Sequence, residues 1–118
     1  MSLYLFVYGT LGSQFSNRYA RLLRRHSVLL GPARVRGRVY RMNGYPALRR
    51  SRADEWVTGE VYSIRSADAL FAELDRYEGR NYSRVILPVM IDQRRLRAWV
   101  YEWRHRLPQW RQEHEPRP

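Results

Sequence analysis

Neither cysteine nor lysine occurs among the 118 residues of this chain. The first absence rules out disulfides and thiolate metal sites, and it suits a reducing cytoplasm, where disulfides would not serve. The second removes the lysine that a phosphate-cradling GxxxxGK[ST] loop requires, and no stretch has that spacing. Histidine is scarce as well: His26, His105 and His114 have no HExxH spacing and no serine or cysteine motif with which to form a triad. Each is read as a surface or packing residue, and no metal site is expected. No apolar run approaches the ~20 residues that span a bilayer. The opening MSLYLFVYGT lacks a basic segment and a small-residue cleavage site. The expectation is a folded, soluble, cytoplasmic protein without a membrane partner.

All 22 basic residues are therefore arginine, against 11 acids, for a net charge of +11. Clustered cations release counterions from phosphates, which raises the question of a nucleic-acid partner. The arginines run from Arg18 to Arg117 without one dominant block. That favours a solvated basic surface over a dedicated nucleic-acid site. A chain of this length buries one core and forms one domain.

Residues 3 to 8 offer two usable faces, Leu3, Leu5 and Val7 on one and Tyr4, Phe6 and Tyr8 on the other, as in a strand covered on both sides. Phe15, Tyr19, Leu22 and Leu23 then recur at helical spacing behind Asn17, a suitable N-cap. From Ser27 to Met42 the pattern is strand-like, with an interruption at Gly31-Pro32 and a hairpin signal at Asn43-Gly44. Residues 45 to 48 read as a short irregular or edge segment, and 56 to 64 as another strand. Ser66 can cap a helix over 67 to 77 that Gly79 ends. Two strands follow, YSRVILPVMI and LRAWVYEW, joined by the turn DQRR, and Pro88 gives the first an edge or a bulge. Residues 1–103 form the expected domain. Residues 104–118 read as a polar tail, with Leu107 and Trp110 able to dock on the body.

One acid breaks the pattern. On a helical wheel Leu70, Phe71, Leu74 and Tyr77 make an inward stripe while Glu73 and Arg76 face out. Glu78, four residues after Leu74, leaves the last turn on the apolar side. Desolvation and the negative end of the helix dipole both push its pKa upward there, toward the range a general base needs near neutral pH. The alternative is a Glu that turns outward or pairs with Arg80 or Arg84. Asp75, at the edge of the stripe, and Glu60, on a strand face with Thr58, Tyr62 and Ile64, read as structural acceptors.

The loop after the first strand, Gly9-Thr10-Leu11-Gly12, can turn several backbone N–H groups toward one point and so bind a small carboxylate. Gly9 lets a ligand approach the backbone closely. A plain strand-to-loop turn is the better account of these residues taken alone.

The order VYGTL, YPAL, GEVY, LDRYEG followed by YSR, and a late AWVY strand resembles the γ-glutamylcyclotransferase-like family over roughly residues 3 to 103. The resemblance implies an α+β fold: a small mixed β-sheet curled into a barrel, with a few short helices and no cofactor. It also implies a reaction in which the amino nitrogen of a γ-glutamyl group attacks its own γ-carbonyl, giving 5-oxoproline and a free amine or amino acid. Carried over by motif, Tyr8, Gly9, Thr10 and Leu11 would hold the glutamyl carboxylate and γ-carbonyl, chiefly through backbone N–H groups, with Tyr82 also in the binding set. Glu78 would be the general base and then the acid. The loop reads Thr-Leu where some glutathione-related members read Ser-Asn, which places the chain nearer the γ-glutamylamine type and a broad bacterial group and leaves the substrate open. Two other readings remain beside the enzyme: a small-carboxylate binder of the same fold that does no chemistry, and, less favoured, a basic nucleic-acid binder.

Overall fold

A computed structural model of the chain describes residues 3–9, 17–42 and 44–107. In chain order the elements are β1 (Leu3–Val7), α1 (Arg18–Arg25), β2 (Ser27–Met42), β3 (Tyr45–Arg50), β4 (Trp56–Ile64), α2 (Ala67–Glu78), β5 (Tyr82–Ile91) and β6 (Arg94–Trp103). The strands run in the order β3-β2-β4-β1-β6-β5, and β2 also pairs with β5, so five strands close into a barrel and β3 extends it as a sixth. The β1–β6 pair is parallel while the other neighbours are antiparallel. This is the small mixed sheet, curled into a barrel, that the motifs implied.

The two faces of β1 explain its alternation. Phe6 points into the barrel with Val35, Val61, Val89 and Val100. Leu5 and Val7 point outward, where Leu23 of α1 and Leu70 and Leu74 of α2 cover them. Leu70 and Leu74 are fully buried, and each such side chain contributes roughly 1.5–3 kcal/mol of transfer free energy. The two short helices are therefore fastened to one side of the barrel by the apolar stripes read from their sequences. Asn17 caps α1 as expected, its side chain accepting a hydrogen bond from the Ala20 N–H at 2.8 Å.

Several local expectations change. Ser66 precedes α2 but makes no side-chain capping hydrogen bond; its φ of −126° and ψ of 75° lie outside helical space, so it is a boundary without a cap bond. Gly31-Pro32 does not break the second strand. The register with β4 shifts between Leu29 and Gly31, and this irregularity absorbs the disturbance within one 16-residue element. Of the two readings of residues 45 to 48, irregular or edge, the edge one holds: they belong to β3, the last strand of the sheet, which pairs with β2 from Met42↔Tyr45 to Gly37↔Arg50. The β5–β6 turn is confined to Asp92-Gln93, with Asp92 at φ 54°, and Arg94 already pairs with Ile91. Leu107 packs beside Tyr40, Ala47 and Trp103. Thr10, Leu11, Gly12, Phe15, Asn43 and Trp110 lie outside the described residues.

Candidate active site

The end of α2 and the end of β1 meet at a cavity of about 320 Å³. Its walls include Tyr8, Tyr45, Pro46, Glu78, Tyr82 and Trp103. Glu78 is the last residue of α2, reached from the buried Phe71 and Leu74 by the same helical stripe. Gly79 closes the helix with φ 72°, a conformation a side-chain-bearing residue adopts at a cost, and its N–H donates to the Asp75 carbonyl. A single turn of 3₁₀ helix, Gly79–Asn81, then delivers the chain to β5 and Tyr82.

Glu78 has no ion pair among the described residues. Burial disfavours its charge first, and the nearby Asp75 carboxylate second, and together they raise its pKa from 4.5 to about 7. The cations that the sequence offered as partners are elsewhere. Arg84 forms a two-pronged contact with Asp75, Nε–Oδ1 at 2.9 Å and Nη2–Oδ2 at 3.2 Å, and its guanidinium lies over the rings of Phe71 and Trp99. Arg80 is exposed. Asp75 also accepts from the Tyr101 hydroxyl at 2.7 Å, so it is the structural acceptor expected at the edge of the stripe. By occupying Arg84 it leaves Glu78 without a countercharge. Glu60 is likewise structural, accepting from the Tyr62 hydroxyl at 3.2 Å.

Tyr8 lines the cavity with its ring while its hydroxyl ties strands together, donating to the Tyr101 carbonyl at 2.6 Å and accepting from the Leu48 N–H at 3.0 Å. Burial raises its pKa well above the ordinary phenol value, so the hydroxyl stays protonated. Tyr82 is also tied down, donating to the Pro46 carbonyl at 2.7 Å, and burial raises its pKa to about 12. Both tyrosines thus shape the cavity with aromatic faces, and their hydroxyls hold β3 and β6 in place. Gly9 lies in an adjoining, more open depression, with Tyr8 and Pro46 bordering both spaces. Its φ is 73°, and a Cβ there would meet the Pro46 ring at 2.7 Å. Gly9 is therefore required twice over, by its backbone angle and by the prolines's approach from β3. Thr10 and Leu11 continue this loop outside the described residues.

Residue-type signals do not single out Pro46, Trp103 or Glu102. YPAL reads only as an irregular or edge segment, yet its proline packs on Gly9 and supplies the acceptor for Tyr82. Trp103 lines the cavity and meets Tyr82 edge-on at 5.5 Å between ring centroids. Glu102 is buried and accepts from Arg50 at Nε (2.9 Å), Nη2 (2.9 Å) and the backbone N–H (3.0 Å). Burial alone would raise its pKa, but the Arg50 hydrogen bonds outweigh that and hold it below the ordinary carboxylate value. Among the described residues no group of three or more His, Cys, Asp or Glu side chains is placed to hold a metal ion.

A closed five-stranded barrel with a sixth strand, two short helices against one side and a lone carboxylate in a small aromatic cavity place this protein among the γ-glutamyl cyclotransferase-like folds. The chain belongs to the family described as gamma-glutamyl cyclotransferase, AIG2-like, whose profile matches residues 5–117. An AIG2-like protein from Mus musculus superposes with a TM-score of 0.75 at 23% identity, over 92% of this chain and 82% of that one, a likeness of fold. YkqA from Bacillus subtilis gives 0.72 at 27% identity, and an Arabidopsis thaliana protein solved in solution gives 0.69 at 28%. Each is covered over 87% of this chain, which spans 36% of the bacterial protein and 62% of the plant protein. No functionally curated protein matches the chain.

Proposed function

We propose that this protein is a cofactor-independent cyclotransferase that converts a small γ-glutamyl amine or γ-glutamyl amino acid to 5-oxoproline, with Glu78 moving the proton. The observation that carries the reading is a partly buried carboxylate, without a cation, whose pKa is raised to about 7 in a cavity of about 320 Å³. An α-ammonium group is not nucleophilic until it loses a proton, so cyclisation needs one base within about 3 Å of the amine. Glu78 takes that proton, the nitrogen attacks the γ-carbonyl carbon, and a tetrahedral oxyanion forms. Glu78 then returns the proton to the departing nitrogen as the C–N bond breaks, and the second proton of the ring nitrogen leaves to solvent, from which the released amine takes up one in turn. Backbone N–H groups of the loop from Gly9 to Leu11 hold the glutamyl carboxylate and the oxyanion. Tyr8 and Tyr82 confine the chain in the near-attack geometry that five-membered ring closure needs.

The test supplies γ-glutamyl amines and γ-glutamyl amino acids and measures 5-oxoproline. Glu78→Gln is expected to lower kcat/KM by about 10²–10⁴-fold, the usual worth of a positioned acid–base group. No product from any substrate, or undiminished product from the variant, overturns the reading. Binding without turnover, retained in Glu78→Gln, identifies the protein as a small-carboxylate binder of the same fold.

A further inference from the structure

A second cavity, of about 520 Å³, opens elsewhere on the barrel and shares no lining residue with the Glu78 cavity. The Glu78 cavity takes Tyr45 and Pro46 from the start of β3 and Trp103 from the end of β6. The second cavity takes Arg50 from the end of β3 and Arg95 from the start of β6. The two therefore lie toward opposite ends of these strands. The second one follows from how the barrel closes. β2 and β5 pair only at Arg34↔Met90 and Val35↔Val89. Beyond Val35, β2 turns to pair with β3. Pro88, which has no N–H to donate, stands where the β2–β5 ladder ends.

The lining of this opening combines apolar groups, Val35, Leu87, Met90 and the indole of Trp56, with four arginines, Arg36, Arg50, Arg52 and Arg95. Arg50 is neutralised by Glu102. Asp54 accepts from the Trp56 indole N–H at 3.0 Å, and Glu55 pairs with Arg38. Arg36, Arg52 and Arg95 form no ion pair among the described residues. Arg36 lies over the Trp56 ring at 5.0 Å and Arg34 at 4.6 Å. Arg36 Nη1 also donates to the Arg52 carbonyl at 3.5 Å, and three guanidinium groups without an ion pair lining one opening make it a place that attracts an anion. Guanidinium forks match phosphate oxygens, and aromatic and guanidinium planes are surfaces on which bases stack.

We infer that this recess is a binding site for a nucleoside phosphate, with phosphate on Arg36, Arg52 and Arg95 and the base against Trp56 and Met90. A bare anion leaves the apolar groups unused, and an apolar ligand leaves the three cations unmatched. A heteroaromatic ring carrying phosphate satisfies both, whether it arrives as a free nucleotide or within a single strand of nucleic acid. The volume lies in the range of small-ligand sites.

The experiment titrates the full chain with ATP, with inorganic tripolyphosphate and with a short fluorescein-labelled oligouridylate. The variant Arg52→Glu/Arg95→Glu is compared with Arg18→Glu/Arg25→Glu, which makes the same charge change on α1. The expected result is saturable binding that falls about tenfold or more in the first variant and less than about twofold in the second. Arg52→Gln/Arg95→Gln, the milder replacement, shows a smaller loss of the same sign. ATP that binds and displaces the oligomer identifies a free nucleotide as the ligand; an oligomer that binds and resists ATP identifies a nucleic-acid strand. Tripolyphosphate competing as well as ATP, equal losses in both Glu variants, or no saturable binding overturns the assignment.

Discussion

Glu78 and Tyr8 illustrate opposite uses of a buried titratable group. The Glu78 carboxyl is raised to about 7 by burial and by Asp75, so the proposed mechanism requires kcat/KM to rise with pH through about 7 as the base form accumulates. The same shift has a stability consequence. A carboxyl whose folded pKa lies above its unfolded value stabilises the fold fully below about 4.5, and that contribution is lost as pH rises through about 7. Glu78→Gln should therefore raise stability at pH 8 by about 1–3 kcal/mol, discounted for partial solvent screening, while lowering the proposed activity. Urea titration of the two proteins checks it, and a variant no more stable than the parent contradicts the proposed burial of charge. Tyr8 bridges the Leu48 N–H and the Tyr101 carbonyl through one hydroxyl. Tyr8→Phe strands both groups, and a loss of about 1–3 kcal/mol is expected from the same titration.

At the scale of elements, the site depends on how closely strands and loop approach one another. Gly59 opens the GEVY motif, and a Cβ there would stand 2.2 Å from the Val7 carbonyl oxygen and 2.7 Å from the Phe6 ring. A backbone oxygen in a paired strand cannot retreat as a side-chain tip can, so β1 and β4 would have to separate. Gly59→Ala is expected to cost about 1–3 kcal/mol or more, read as a drop in the denaturation midpoint, whereas Gly44→Ala has open space around its Cβ and only its φ of 83° to strain. The end of α2 is placed by a different device. Tyr77 packs on Tyr19 of α1 at 4.0 Å between ring centroids, and Arg84 of β5 holds Asp75. Both contacts orient the last turn from which Glu78 projects.

For the whole molecule, two carboxylates with opposite shifts pull the pH dependence of stability in opposite directions. Glu102 is held below its ordinary value by Arg50, so its contribution is present above about 4.5 and is lost as pH falls through its folded pKa. Glu78 contributes below about 4.5 and loses that contribution toward pH 7. Between pH 5 and pH 8 the Glu78 contribution is the one that changes, so the thermal midpoint should be higher at pH 5 than at pH 8. Glu78→Gln should remove most of that difference, and a midpoint that rises from pH 5 to pH 8 in the parent would contradict it. The arginine excess is likewise resolved only in three dimensions. Arginines far apart in the chain, Arg36, Arg52 and Arg95, gather at one opening of the barrel, although no block of them stands out in the sequence.

The sequence alone determined most of the elements, the two-faced central strand and the position of Glu78 on the apolar stripe of α2, because periodicity is a local consequence of residue order. Motif order carried the fold further, to the curled mixed sheet and the roles implied for Tyr8, Gly9, Thr10, Leu11, Glu78 and Tyr82. Only the tertiary structure decided which neighbour each charge meets. Arg84 and Arg80 were equal candidates for Glu78 on spacing, and folding across α2 and β5 gave Arg84 to Asp75. Pro46 behind Gly9, Glu102 beneath Arg50 and the seam at Pro88 are also contacts between distant segments. Local pattern says which way a side chain points, but pairing depends on distances that exist only after the strands close.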